Sequence, residues 1–318
     1  MILPFRALLP FSLLFSIGLL IPGCGGTMEK PSPSQSFPSI PSDGSVDLGN
    51  TRASYVVEGN GRPCMVIGSR IYYSKTFSDS FKARFRCVYL DLRGFIPGAP
   101  PPGSGSFGVA AAVEDIETSR EQLGLDSPVI FGHSIHGLMA IAFAQKYPDR
   151  VSQVIAIGAP PVFDEGLQKA SERFWEAEAS QERIAIHARN LRRAGDLPDG
   201  WTTDAMVRRY VAFGAMYWFD PSFDASELWE EVEINPELSQ QVFDPTNSFD
   251  LRDGPVPILT PVLLALGRYD FVVPYTMWDS YLDILPNHQR HIFSGSGHTP
   301  QFEQPELFLK VITDWLDN

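Results

Sequence analysis

The run Val129–Lys146, reading VIFGHSIHGLMAIAFAQK, limits the possible folds more than any other part of the chain. A β-branched and aromatic stretch stops at Gly132, Ser134 follows two residues later, and an alanine-rich apolar run begins at once. That order predicts strand, sharp turn and helix, with Ser134 at the apex. Such a turn holds the serine backbone in a strained conformation, needs small neighbours, and lifts the hydroxyl clear of the sheet. It also sets the serine at a helix N-terminus, where unpaired N–H groups favour a developing negative charge. The chemistry this suggests is attack by the hydroxyl on an acyl carbon.

The full elbow pattern is G-x-S-x-G. Here His136 holds the second glycine position and Gly137 comes one step later, so the weight of the assignment rests on residues downstream. An apolar run, Pro261–Leu266, leads into Gly267, Arg268, Tyr269 and Asp270. An acid just past a strand sits at the carboxyl edge of the sheet, where sites form in open α/β folds. The last short strand leads into Ser294-Gly295-Ser296-Gly297-His298, a loop whose glycines let a histidine approach closely. Ser134, Asp270 and His298 stand in the chain order of a triad built on such an elbow. A serine hydroxyl alone is a poor nucleophile; a neutral His298 would take its proton and return it to the leaving group. Asp270 would hold the other ring nitrogen and stabilise the imidazolium. His133 and His136 flank the serine, but side chains adjacent to it at a tight turn point elsewhere, so they are read as packing around the turn.

The 318 residues, 44% hydrophobic and 20% charged, suffice for one large domain or two small ones with a sizeable core. A net charge of −13 without a dense Lys/Arg block argues against nucleic acid as a partner. No C-x-x-C, H-E-x-x-H or other metal-ligand spacing occurs, so no metal or cofactor is expected.

The N-terminus is unlike the rest. Arg6 precedes an apolar run from Ala7 to Ile21, interrupted by Pro10 and shorter than the ~20 residues a spanning helix needs. This reads as an export signal over residues 1–23. It ends in Ile21-Pro22-Gly23-Cys24, which resembles a bacterial lipobox and would make Cys24 a lipidated N-terminus, anchoring the exported protein on a membrane; the alternative is an ordinary signal peptide cut nearby, with Cys24 incidental and the protein periplasmic or secreted. Residues 24–44 are rich in Pro, Ser and Gly and read as a tether, with the folded part expected from Ser45. Cys64 and Cys87 each lie four residues before the end of an expected strand. They would sit side by side if those strands were parallel neighbours, but a bond there is geometrically awkward, so two buried free thiols are expected.

Strands are expected at Arg52–Glu58, Cys64–Ile67, Cys87–Leu90, Val151–Ile157, Pro261–Leu266 and Arg290–Phe293, and helices at Val109–Leu123, Leu138–Tyr147 and Pro305–Leu316. Near-continuous apolar strands alternating with helices imply an α/β fold, a mostly parallel sheet flanked by helices. Between Pro161 and Pro257 only helical stretches appear, at Glu165–Ser180, Glu182–Ala194 and Thr203–Phe213. Residues 161–257 are therefore read as a helical cap inserted into a core made of 45–160 and 258–318.

Taken together, Asp91-Leu92-Arg93-Gly94-Phe95, the Gly132–Gly137 turn, Gly267–Asp270 and Gly297-His298 resemble the α/β-hydrolase superfamily, and within it the prolyl-aminopeptidase-like group. The resemblance covers Ser45 to Asn318. It implies the α/β-hydrolase fold and carries nucleophile, acid and base onto Ser134, Asp270 and His298. Members of the family carry a His-Gly pair after the third strand that builds half of the oxyanion hole; here Gly68-Ser69-Arg70 stands in its place. The backbone N–H of Ser69 or Arg70, with that of Ile135, is then the expected hole. Prolyl aminopeptidases hold a free amine with cap acids, and this cap offers Asp220, Asp224, Glu227, Glu230, Glu231 and Glu233 beside Tyr217, Trp218 and Phe219. The same residues equally describe a solvated helix with aromatics in the core. Two function classes follow: a serine hydrolase acting on a small ester, amide or N-terminal peptide bond, or a catalytically silent, membrane-tethered binding module. Serine at the apex argues against the epoxide hydrolases and haloalkane dehalogenases of the same fold, which attack with aspartate.

Overall fold

The computed structural model describes residues 39–103, 105–244 and 247–318. The expected export signal, Cys24 and the first part of the expected tether lie outside the described residues. In chain order the core begins with β1 (Asp43–Asp47), β2 (Arg52–Gly59), β3 (Arg62–Gly68), α1 (Arg70–Thr76), α2 (Asp79–Arg84) and β4 (Phe85–Asp91). It continues through α3 (Val109–Gln122), β5 (Val129–His133), α4 (Ile135–Lys146) and β6 (Gln153–Ile157). The insertion holds β7 (Val162–Phe163), α5 (Glu165–Glu178), α6 (Gln181–Ala194), α7 (Thr203–Ala212), α8 (Gly214–Tyr217), α9 (Pro236–Val242) and β8 (Phe249–Asp250). The chain then returns through β9 (Val262–Gly267), β10 (His288–Phe293), α10 (Pro300–Glu303) and α11 (Pro305–Leu316).

Eight strands make one sheet in the order β1-β2-β4-β3-β5-β6-β9-β10. The β1–β2 and β2–β4 pairs are antiparallel and the pairs from β4 to β10 are parallel. This is the expected α/β-hydrolase architecture. Alternation along the strands divides the core between the two faces. Met65, Ile67, Ile130 and Leu264 join Ile116 of α3 and Leu138 and Ile141 of α4 on one face. Val66, Phe131, Ile155 and Leu263 join Phe81 of α2 and Phe308 and Ile312 of α11 on the other. Helix α4 is buried nearly all round, which is why its sequence is apolar without a polar stripe. Helix α11 buries only Phe308, Ile312 and Leu316, one residue per turn.

Three cap helices fall where periodicity places them, each started by a side-chain cap. Asp164, Ser180 and Thr202 accept from the amides of Gly166, Arg183 and Ala205. The insertion also contains a short antiparallel ribbon, β7 with β8, that the sequence reading omits. Two other expectations change. Ile40 is buried and Ser42 O accepts from Val57 N–H at 2.7 Å, so the ordered domain starts before Ser45. Cys64 and Cys87 are not free thiols. They are directly opposite each other on β3 and β4, with Cα atoms 4.5 Å apart, and form a disulfide. Side-by-side register in the parallel pair brings the two Cα atoms within the span a disulfide bridges.

Candidate active site

Strand β5 delivers Ser134 to the carboxyl edge of the sheet with φ 57° and ψ −131°, a left-handed conformation that costs an ordinary residue roughly 1–3 kcal/mol. The turn is fixed on both sides. Ser134 N–H donates to Ile157 O at 2.8 Å, and Ser134 O accepts from Gly137 N–H at 2.9 Å. A Cβ at Gly132 would stand 2.2 Å from His136 O, so that glycine is required by close approach. His136 fits because space opens opposite it. Its Nδ1 lies 2.8 Å from Tyr73 Oη, and a Cβ at Gly68 would meet that same Nδ1 at 2.8 Å. Glycine at position 68 is thus what leaves room for the His136 ring at the elbow.

His298 Nδ1 lies 2.6 Å from Asp270 Oδ2, both side chains buried. Asp270 Oδ1 accepts from the amides of Val272 and Val273 at 3.0 and 2.8 Å, which fixes the carboxylate plane. The loop of His298 is held from the cap side: its N–H donates to Tyr217 O at 2.5 Å. Glu303 accepts from the amides of Phe219, Gly297 and Thr299 at 2.6, 2.9 and 3.2 Å. Burial pushes the Glu303 carboxyl up, while those three bonds pull it back. Sequence reading missed Glu303, whose only local signal is its position at the end of a four-residue helix. His133 is buried and His136 half-buried. Burial, with His298 beside it, pushes His133 well below the ordinary histidine range, and burial pushes His136 down to about 4.

Ser134 and Ile135 line two cavities, of about 120 and 620 Å³. His298 joins them in the larger, with Tyr217 and the cap residues Phe213 and Tyr210. Ser134 Oγ has no hydrogen-bond partner among the described residues, and neither does the N–H of Ile135. The walls are aromatic and aliphatic. Among the described residues Arg209 is the one ionised side chain on them; it bonds the carbonyls of Pro198 and Gly200 and stacks on Trp201 at 5.2 Å. None of the cap acids lines either cavity: Asp220, Asp224, Glu227, Glu230, Glu231 and Glu233 are all exposed. Trp218 is core, and Phe219 is exposed.

The expected oxyanion donors on β3 are not brought to these cavities. Ser69 and Arg70 line a separate cleft with Asp91 and Glu233. Arg70 N–H donates to Asp91 Oδ1 at 2.7 Å, and its guanidinium pairs with Oδ2 at 3.3 Å. Burial pushes Asp91 up to about 6 against the opposing pull of Arg70. Arg93 of the same motif is structural as well, pairing with buried Asp115 at 2.6 Å and bonding Asn50, Leu48 O and Pro100 O.

Residues 59–305 match the alpha/beta hydrolase fold family. The chain belongs to that family. The chain is 32% identical over 266 residues to the AB hydrolase superfamily protein YclE of Bacillus subtilis, covering 83% of this chain and 95% of that one. It is 26% identical to a pimeloyl-[acyl-carrier protein] methyl ester esterase of Vibrio parahaemolyticus, over 74% of this chain and 86% of that one. Its fold is similar to that of a proline iminopeptidase of Mycobacterium smegmatis, with a TM-score of 0.65 at 19% identity, covering 87% and 98% of the two chains. Its curated relatives include esterases and other hydrolases, such as a 2-hydroxy-6-oxo-6-phenylhexa-2,4-dienoate hydrolase of Burkholderia cepacia, 24% identical over 86% of this chain and 90% of that one.

Proposed function

We propose that the hydrolase is a serine esterase that forms an acyl-enzyme on Ser134 with small esters of apolar acids. The observation that carries this reading is the position of the Ser134 hydroxyl, at a strained apex and unengaged among the described residues, beside cavities on whose walls the described residues place no carboxylate. His298 takes the hydroxyl proton on Nε2 as Ser134 Oγ bonds the ester carbon. The carbonyl π pair moves onto oxygen, and collapse expels the alcohol, which receives the proton from His298. Water then repeats the sequence and frees the acid. Asp270 keeps the imidazole in the tautomer this requires and stabilises its cation. A substrate amine would enter an apolar cavity with only a guanidinium for company, an unfavourable place for a second cation. That supports ester over N-terminal peptide bond.

A panel of nitrophenyl esters and aminoacyl-naphthylamides tests the reading. Hydrolysis of butyrate and hexanoate esters, lost in Ser134→Ala, is expected. Faster turnover of prolyl-naphthylamide would move the assignment to an aminopeptidase. No turnover of either by folded protein would make the chain a binding module. We further propose that the protein is exported and lipid-anchored at Cys24. The Cys64–Cys87 disulfide supports an oxidising compartment, and release of Cys24→Ser from the membrane fraction is the outcome expected.

A further inference from the structure

The two cavities meet at Ser134 and Ile135 but differ in size, about 120 Å³ against about 620 Å³. Among the described residues His298 lines only the larger. Its Nδ1 is held by Asp270, so Nε2 is the nitrogen left to exchange protons with Ser134 and the leaving group. That asymmetry orients an ester. The carbon attacked by Ser134 Oγ carries three other groups: the oxygen that gains charge, the alkoxy oxygen and the acyl chain. The first belongs at the N-terminus of α4, where unpaired amides favour negative charge. The alkoxy oxygen must receive its proton from His298, so it and the alcohol beyond it lie on the His298 side, in the larger cavity. The acyl chain takes the remaining direction, into the smaller one.

The walls set how far each half can extend. At the ~30 Å³ a water occupies, the smaller cavity holds about four water-sized groups and the larger about twenty. Tyr73, Phe107 and Met139 on the smaller cavity are all buried, and a close-packed interior does not widen to admit a longer chain. The larger cavity is walled by Leu167, Trp201, Phe213 and Tyr217 of the insertion, all half-buried, and its volume lies in the range of small-molecule sites.

We infer that the hydrolase cleaves esters of short acids with bulkier alcohols, the smaller cavity measuring the acid and the larger receiving the alcohol. The inference rests on the acyl-enzyme reading of Ser134. The bond from Ser134 Oγ to the acyl carbon forms, the bond from that carbon to the alkoxy oxygen breaks, and the serine proton passes through His298 to the departing oxygen. The enzyme then carries only the short acyl chain. Water takes the place the alcohol has left, beside His298, gives up its proton to Nε2, and releases the acid.

Octyl acetate and methyl nonanoate are isomers that carry the same octyl chain on opposite sides of the ester group. That chain exceeds the smaller cavity about twofold and fits the larger. Followed by titration of the released acid, kcat/KM is expected to be about tenfold or more higher for octyl acetate. Equal or faster hydrolysis of methyl nonanoate overturns the inference. Ser134→Ala, assayed alongside, separates the two readings. Hydrolysis that survives in it removes the acyl-enzyme and this inference together; hydrolysis that needs Ser134 but favours methyl nonanoate removes only the inference. Hydrolysis of neither ester by folded wild type removes both. Two variants move the ratio of the two kcat/KM values. Met139→Ala widens the smaller cavity, and the ratio falls as methyl nonanoate gains. Leu167→Trp narrows the larger, and the ratio falls as octyl acetate loses. Leu167 is half-buried near the start of α5, so this variant keeps the test open should Met139→Ala fail to fold. A ratio unmoved in the folded variants overturns the inference.

Discussion

Two strand-to-helix turns stand beside each other at the centre of the sheet, and each has a serine at the start of its helix. At the β3–α1 turn Ser69 has φ −116°, and its hydroxyl caps the helix by accepting from Tyr72 N–H at 3.2 Å. At the β5–α4 turn Ser134 has φ 57°, and its hydroxyl caps nothing. Residue type and topological position are the same; backbone conformation differs. An extended N-cap folds its side chain back onto the helix and satisfies it there. The left-handed apex turns the side chain away, and the unspent hydroxyl is presented to the cavity. One turn stabilises a helix, and the other stores strain where chemistry is proposed.

That contrast can be broken in four ways. Ser134→Ala has the largest expected effect, a loss of about 10⁶-fold in kcat for ester hydrolysis, as when the nucleophile of a triad is deleted. Steady-state kinetics with an intact circular dichroism spectrum checks it. Gly132→Ala attacks the elbow's geometry instead. Its Cβ lies 2.2 Å from His136 O, so a stability loss of about 1–3 kcal/mol in chemical denaturation is expected, with a fall in kcat. Asp91→Asn tests the other turn. With its carboxyl raised to about 6 in the fold from an ordinary 3.8, folded wild type holds the proton to higher pH than the unfolded chain does, so charging Asp91 destabilises the fold as pH rises between those values. The variant, which mimics the protonated carboxyl, is therefore expected to gain on the order of 1–3 kcal/mol over wild type above pH 6, the net of burial and the Arg70 pair, and nothing below pH 4. A pH-independent difference in melting temperature would contradict this. Ser69→Ala has the smallest effect, about 1 kcal/mol of stability from the lost cap, read in the same denaturation series.

How legible the molecule was in its sequence follows the same division. The elbow, Asp270 and His298 are marked by glycines and by apolar strands that end sharply, signals local enough to survive without coordinates. The sheet and the cap helices are visible for the same reason, through continuous apolar runs and capping residues. Helices α1 and α2 are only seven and six residues long, too short for periodicity to declare them. The Cys64–Cys87 bond depends on strand order and register, which spacing along the chain leaves open. The cap acids look like an amine site in one dimension and face solvent in three.

The central claim is that Ser134 is the attacking group. Intact-mass spectrometry after incubation with an alkyl fluorophosphonate reads it directly. One phosphonyl adduct, mapped by peptide sequencing to Ser134 and absent from Ser134→Ala, is the predicted result. Ester hydrolysis that continues with Ser134 unlabelled, or an adduct mapped to another residue, would contradict it.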